Sequence, residues 1–370
     1  MLVLVFLLLD VYLEFSLLAP FRPEIPTLYW ILTGLLQLLI LSQLWLYFFF
    51  FKSGPDEEVR FEKQIQKFAF MAMGAISFLF SFTLIRDALG LILLPFAKAS
   101  TLYGLQPSLA ILVLSFVSFS VGILSARFRV VSPRVEVPID NLPFVLRGLR
   151  IVQLSDVHLG TGPGPRHVSA MVERALKLQP DLIVLTGDII DGMTKDMKSE
   201  LAVLARLKAR YGVYFVLGNH ECYWKWQDSV KAMEEAGVVC LLNAGVSVKV
   251  KTESFFIAGM NDPAIVHHQG DAPKIVVPPA SSKLNIMLVH QPQFAPEVAK
   301  APYQLQLSGH THGGQFFPWN LAVKKIYPIS GGLGKVQKLW VYVSHGSGYW
   351  GPPIRLGTSG EVTELIMIQK

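Results

Sequence analysis

The chain has 370 residues, enough for more than one domain, and its 52% apolar share and mean hydropathy of +0.43 reflect a front third dominated by Leu, Phe, Ile and Val. The net charge of +6 is modest and sits partly beside apolar segments, so it reads as membrane flanking and not as a nucleic-acid footprint. Cys222 and Cys240 form no spaced metal or disulfide pattern and read as buried small hydrophobes, with Cys222 close enough to the Asn219-His220 turn to line a pocket.

Residues 1–126 hold four apolar stretches, Leu2–Leu18, Leu28–Phe51, Phe68–Ile85 and Ser108–Ala126. Each is near or above the roughly 18–20 residues that cross a bilayer core, which predicts four spans, with three as the alternative. The third stretch has room to continue past Arg86-Asp87 towards Phe96. The first stretch lacks a basic n-region, and Leu17-Leu18-Ala19-Pro20 is a poor cleavage site, so it is not read as a signal peptide. Asp10 and Glu14, four apart, share a helical face; they are expected to face the bundle interior and pair with Arg86, or to lie near the interface. Basic residues gather after the second stretch (Lys52, Arg60, Lys63, Lys67) and after the fourth (Arg127, Arg129, Arg134). With four spans the positive-inside rule places both termini in the cytoplasm. Residues 127–147, with Pro133, Pro138 and Pro143, read as an extended connector.

From 148 to 370 the pattern is that of alternating strands and helices. Strand-like runs at Ile151–Leu154, Leu182–Leu185, Val213–Leu217, Ile286–Val289 and Leu305–Leu307 each end in a polar block. The blocks are Asp156-Val157-His158, Gly187-Asp188, Gly218-Asn219-His220-Glu221, His290 and Gly309-His310-Thr311-His312. Ligands collect outside the carboxyl ends of strands in an open α/β sheet, so the five blocks are expected to converge. Asp, His and Asn without a thiolate suit divalent transition ions, and the number of donors suits two of them. Helices are expected at Arg166–Leu178, Met193–Arg210 and 226–236, and a second sheet from Val238 onward that the runs Leu339–Ser344 and Val362–Ile368 close. The insertion 261–279, with His267 and His268, reads as a surface loop or as a lid. The aromatic stretch 316–327 reads either as packing or as an apolar rim that admits an acyl chain or docks on a bilayer.

The order of these blocks resembles that of the calcineurin-like metallophosphoesterase superfamily over residues 148–370. The flanking text, Leu149–Asp156, Gly309–Gln315 and Pro353-Ile354-Arg355, is similar to that of its membrane-associated bacterial branch. The resemblance implies an α/β fold, a two-sheet sandwich flanked by helices, here behind a transmembrane helix bundle. It also implies two divalent ions, Mn, Fe or Zn: one held by Asp156, His158, Asp188 and His312, the other by Asp188, Asn219, His290 and His310. Asp188 would be shared between them, and His220 would lie near the phosphate as acid or charge stabiliser. The implied reaction is attack on phosphorus by a hydroxide bridging the ions. The function expected from helices and motif together is an integral-membrane phosphoesterase acting on a phosphodiester or pyrophosphate of a lipid or lipid-linked substrate. Some relatives cleave the pyrophosphate of UDP-diacylglucosamine. The expected surroundings are the bilayer of a bacterial inner membrane, with no nucleic-acid partner. Competing readings are a phosphodiesterase for soluble substrates with the helices as an anchor, a sensor or scaffold that keeps the fold, and a small transporter using Asp10 and Glu14.

Overall fold

The computed structural model describes residues 2–52, 60–96 and 98–370. The chain divides into two units, Met1–Leu124 with Gly351–Ile354, and Ser125–Trp350 with Arg355–Lys370.

In the first unit, α1 (Leu2–Leu13) runs into a π-helical turn, Glu14–Leu18. The short α2 (Phe21–Glu24), α3 (Pro26–Lys52), α4 (Arg60–Leu93), α5 (Ala99–Tyr103) and α6 (Leu105–Phe128) follow. Among the described residues, three helical stretches are long and apolar enough to cross a bilayer: Pro26–Phe48, Gln64–Leu93 and Thr101–Phe128. They stay apolar all round and turn residues such as Trp30, Leu91 and Phe116 outward, as a lipid solvent requires. The first of the four predicted stretches is the difference. Its α-helix stops after 12 residues, short of the roughly 20 needed, and Glu14 opens a widened turn in place of further α-helix. Leu13, Leu17 and Leu18 nevertheless bury themselves against Leu36, Ile40, Ile76 and Ile111.

The intramembrane polar side chains pair otherwise than the sequence suggests. Asp10 accepts from Gln37 Nε2 (2.8 Å) and Glu14 from Thr33 Oγ1 (3.0 Å), both on α3. Arg86 instead pairs with Asp87 (2.8 Å) and donates to the Ser16 hydroxyl (2.6 Å) and carbonyl (2.7 Å). The face shared by Asp10 and Glu14 thus meets α3, while Arg86 sits level with Ser16. Of the basic loop after the second stretch, residues 53–59 lie outside the described residues.

The second unit is built on two six-stranded sheets. Its strands are β1 (Val130–Val131), β2 (Arg134–Ile139), β3 (Arg150–Leu154), β4 (Leu159–Gly160), β5 (Leu182–Thr186), β6 (Ile190–Asp191), β7 (Val213–Val216) and β8 (Val239–Cys240). They continue with β9 (Ala244–Val250), β10 (Glu253–Gly259), β11 (Leu284–Leu288), β12 (Leu305–Ser308), β13 (Gly332–Val336), β14 (Leu339–Val343), β15 (Gly360–Glu361) and β16 (Thr363–Gln369). One sheet has the order β2-β16-β3-β5-β7-β8, the other β13-β14-β12-β11-β10-β9. Leu182, Val184 and Val216 of the first sheet pack with Ile257, Ile286 and Leu307 of the second, which makes the pair a sandwich. The opposite face of the first sheet is covered by α7 (Pro165–Lys177), α8 (Lys198–Leu204) and α10 (Trp226–Glu235), with α9 (Asn219–Tyr223) at the end of β7. Strands buried on both faces read as unbroken apolar runs, and Leu182–Thr186 is one. One polar tie crosses the interior: Gln153 Nε2 donates to Thr186 Oγ1 (2.8 Å) and to the Ser308 carbonyl (2.9 Å) of the other sheet.

Four elements differ from expectation. β8, expected to open the second sheet, instead pairs in parallel with β7 at the edge of the first. The 127–147 stretch carries β1 and β2, and β2 pairs in parallel with β16 as the edge of the first sheet. Its buried Val137 and Ile139 supply an alternation that the prolines obscure. The run near the C-terminus does not close the second sheet: β16 lies antiparallel to β3 in the first. The helix expected over Met193–Arg210 shrinks to Lys198–Leu204 after a 3₁₀ turn.

Candidate metal centre

The carboxyl ends of β3, β5, β7, β11 and β12 deliver the five polar blocks to one place. Asp156, His158, Asp188, His310 and His312 all adopt φ between 50° and 71°. That left-handed region is costly for residues with a Cβ, and a cluster of such residues marks a place where side-chain aim overrides backbone preference. Gly187, φ 81°, is the hinge of this packing: a Cβ there would lie 2.5 Å from His290 Nδ1 and 2.8 Å from the Gly218 Cα. The loops are laced together by the backbone. Asp156 N donates to Gly187 O (3.0 Å), His158 N to Asp188 O (3.0 Å) and Gly309 N to His290 O (2.9 Å).

Two sets of ligand atoms gather from these loops, each within 4.8 Å of one another: Asp156, His158 and His312, and Asp188, His290 and His310. Asp188 reaches into both, its Oδ2 lying 3.1 Å from His290 Nε2 and 3.9 Å from His158 Nε2. The donors are set up for cations. His290 Nδ1 donates to the Thr186 carbonyl (2.8 Å), which turns its buried Nε2 toward Asp188 Oδ2. His158 Nδ1 faces Asp191 Oδ2 (3.2 Å), so its Nε2 points at His312 Nε2, 3.1 Å away. Asn219 donates through Nδ2 to the Tyr223 hydroxyl (3.3 Å), and its buried Oδ1 is left without a hydrogen-bond partner. Buried acceptors without donors are rare in proteins, and histidines fixed through their other nitrogen are typical of metal sites. The residues fit divalent ions.

Charges in the site are sorted by burial and by neighbours. Burial lowers His310 to about 4, helped by His290. Burial also holds His312 well below the usual range, with His158 and Arg355 adding to it. Both rings therefore stay neutral and keep a lone pair. Burial would push His220 down as well, but Asp188 and Asp191 outweigh it and raise the ring to about 9. Asp191 would be raised by burial, yet His220 and His158 pull it well below the usual carboxylate range.

Asp191 is the residue that the sequence does not single out. Its carboxylate receives Trp224 Nε1 (3.0 Å) and Thr161 Oγ1 (2.5 Å), faces His158 Nδ1 and pairs with His220 Nδ1 (3.0 Å). It thereby orients one predicted ligand and the predicted acid together, and it also completes a third group of close donors with them. Glu221, named within its block but given no role by the sequence, is another supporting residue. Its two oxygens take the backbone N–H of Asp188 (2.9 Å), Ile189 (2.6 Å), Ile190 (2.8 Å) and Gly218 (2.7 Å), clamping two loops. Burial and Asp188 raise its carboxyl to about 7 against the pull of these donors. Glu221→Gln turns an NH₂ against two of the N–H groups. Loss of charge-assisted bonds at about 1.5–3 kcal/mol each is expected to lower the thermal midpoint of the protein by several degrees, read by a melting curve of the full chain.

The remaining features fall into place around this centre. Ser347 N donates to Ser155 O (2.6 Å) and Gly348 N to Asp156 O (3.0 Å), which fastens the 346–351 loop to the first ligand. Arg355, fully buried, donates to the carbonyls of Gly348 (2.6 Å) and His312 (3.3 Å), and burial lowers it to about 10. The exposed Tyr223 and Trp350 flank the His220 ring at 5.2 and 5.3 Å. Cys222 is buried in the core. Residues 261–279 carry a 3₁₀ helix, Pro263–His268, and Asn243 ties the insertion down through Asn261 N (3.0 Å) and Lys274 N (2.9 Å). His267 and His268 are exposed.

The calcineurin-like phosphoesterase family matches residues 149–314. An uncharacterized metallophosphoesterase of Campylobacter jejuni is 32% identical over 293 residues, covering 78% of this chain and 77% of the relative. The chain belongs to the metallophosphoesterase family. A transmembrane protein with a metallophosphoesterase domain from Bos taurus is 36% identical over 279 residues, 71% of this chain and 63% of the relative. Its namesake from Danio rerio is 33% identical over 250 residues, 64% of this chain and 56% of the relative. This metallophosphoesterase chain thus spans less than two thirds of either vertebrate protein, and its likeness reaches beyond the bacterial branch.

Proposed function

We propose that the protein is a membrane-held, two-metal phosphoester hydrolase whose substrate is a phosphodiester or pyrophosphate of a lipid or lipid-linked compound. The observation that carries the hydrolase reading is the position of Asp188, whose Oδ2 belongs to one set of ligand atoms and lies 3.9 Å from His158 Nε2 of the other. In this reading Asp156, His158, Asp188 and His312 hold one cation, and Asp188, Asn219, His290 and His310 the other. Such a pair of divalent cations supplies a water nucleophile at neutral pH and offsets charge on the phosphoryl oxygens. His220 is held by Asp191 through Nδ1, and its Nε2, 3.9 Å from Asp188 Oδ2, is free to give a proton to the leaving oxygen.

The lipid part of the proposal rests on the three membrane-length helices of the same chain and on the aromatic flanks of His220. Arg127 lies in the last turn of the third of those helices and Arg129 and Arg134 follow it, so we place the hydrolase unit on the cytoplasmic side. The test compares bis(p-nitrophenyl) phosphate with a phospholipid presented in vesicles, using the full chain and added Mn²⁺. A kcat/KM clearly higher for the vesicle lipid supports the lipid reading. Hydrolysis of the soluble diester alone favours the anchor reading, and hydrolysis of neither with metal bound points to a narrower head group.

Asp191 gives a further expectation. Asp191→Asn keeps the shape but loses the charge that fixes His158 and His220, and outer-shell partners of this kind are worth about 10–100-fold in metal affinity or activity. A Mn²⁺ titration of diester hydrolysis should show that loss while the melting midpoint stays near wild type.

A further inference from the structure

We propose that the helix α12 (Trp319–Ile326), which starts seven residues after His312, is a docking element that lies in the headgroup layer of an anionic bilayer. None of its residues is buried. Trp319, Leu321 and Ile326 are 47%, 52% and 68% exposed, an unusual share of large apolar side chains for one eight-residue helix in water. At 100° per residue the half-buried Asn320 and Val323 mark the side turned to the domain. Leu321, Ala322, Lys325 and Ile326 then point outward, with Trp319 and Lys324 on the flanks. Apolar and aromatic side chains beside lysines are the composition of helices that rest in a membrane interface.

Charge names the occupant. From Val298 to Gly360 the chain has no Asp or Glu, while Lys300, Lys324, Lys325, Lys335 and Lys338 fall within that stretch. Lys324 and Lys325 on the helix itself, with no acidic residue in the flanking sequence, attract anionic headgroups. The same charge opposes a second copy, because a two-fold contact through this helix would set lysines against lysines. The three membrane-length helices among the described residues keep a bilayer within reach, which makes even a short interfacial helix effective.

The helix is also fixed to the metal centre. Phe317 N donates to Leu356 O (2.9 Å), Asn320 N to Phe316 O (3.2 Å), and Gly314 packs against the Trp319-Asn320 backbone. At its far end the Tyr327 ring stands 6.2 Å from the His310 ring. Docking through this helix would hold the His310 side of the centre at headgroup level. The docking itself rests on exposure and charge, and it does not depend on the hydrolase reading.

The test uses the full chain in phosphatidylcholine vesicles with and without phosphatidylglycerol. Single reporters are placed at Leu321→Cys, and separately at Ile326→Cys, in a Cys240→Ser background, and quenched by lipids spin-labelled near the headgroup. Val277→Cys, on a loop residue 75% exposed, is the aqueous control. We expect quenching at 321 and 326 severalfold above that at 277, greater with phosphatidylglycerol, and reduced by Lys324→Glu with Lys325→Glu. That double variant should leave hydrolysis of bis(p-nitrophenyl) phosphate unchanged. Reporters at 321 and 326 no better quenched than at 277, or a disulfide joining two copies of the Leu321→Cys variant through the introduced thiol, would overturn the proposal.

Discussion

Asp188→Ala is expected to lower metal-dependent diester hydrolysis by at least about 10³-fold, on the order of 4 kcal/mol of transition-state stabilisation. The argument is geometric. Asp188 Oδ2 stands 3.1 Å from His290 Nε2 and 3.9 Å from the Nε2 atoms of His158 and His220, so one carboxylate stands beside a proposed ligand of each cation and the proposed acid. Its other oxygen accepts the backbone N–H of His220 at 2.8 Å. In the proposed two-metal reading, removing it would take a ligand from both cations and leave His158, His220 and His290 without the charge beside them. Asp188→Asn is expected to be nearly as damaging, because an amide keeps the shape but loses the charge. Initial rates at saturating Mn²⁺ test both. Retention of a tenth or more of wild-type activity would be incompatible with a shared carboxylate.

His220→Gln is expected to lower kcat by about 10²–10⁴-fold with little change in KM, the range for loss of a positioned acid. Asp191 fixes its Nδ1, Tyr223 and Trp350 bracket the ring, and no predicted ligand set requires it. Its effect should depend on the leaving group. An alkyl phosphodiester needs a proton on the departing oxygen and should show the full loss, whereas an activated p-nitrophenyl ester should show much less. Equal losses on both substrates would make His220 a charge stabiliser. No loss on either would remove it from the chemistry.

The site was legible in the sequence where the physics is local. A strand followed at once by Asp, His or Asn places those side chains at a carboxyl edge, and Asp156, His158, Asp188, His290, His310 and His312 all arrive together. Asn219 joins the same strand-end loops, with a buried oxygen that has no hydrogen-bond partner. Asp191 and Glu221 escaped because their work is done on other loops. Asp191 follows two isoleucines and reads as the end of an apolar run, yet in space it faces two histidines from distant segments. Glu221 was visible within its block, but its four backbone donors become evident only once Gly187–Ile190 and Gly218 lie side by side.

The fold shows the same division. The apolar runs of β5, β11 and β12 announce buried strands, but nothing in Thr363–Gln369 says which sheet it joins. The antiparallel pairing of β16 with β3 is settled by long-range closure. In Arg134–Ile139 the alternation of Val135, Val137 and Ile139 was the usable signal, and Pro133 and Pro138 drew attention from it. Pro138 is tolerated because β2 is an edge strand. In Leu2–Leu18 hydropathy counted residues, whereas Glu14 and the π-helical turn decided where the α-helix ends.

The most direct test of the two-metal centre is the metal content of the purified full chain, wild type beside Asp188→Ala, measured by inductively coupled plasma mass spectrometry after dialysis against Mn²⁺ and then metal-free buffer. Two ions per wild-type chain and fewer than two in the variant is the predicted result. A wild-type chain that holds no ion, or a variant that still holds two, would contradict it.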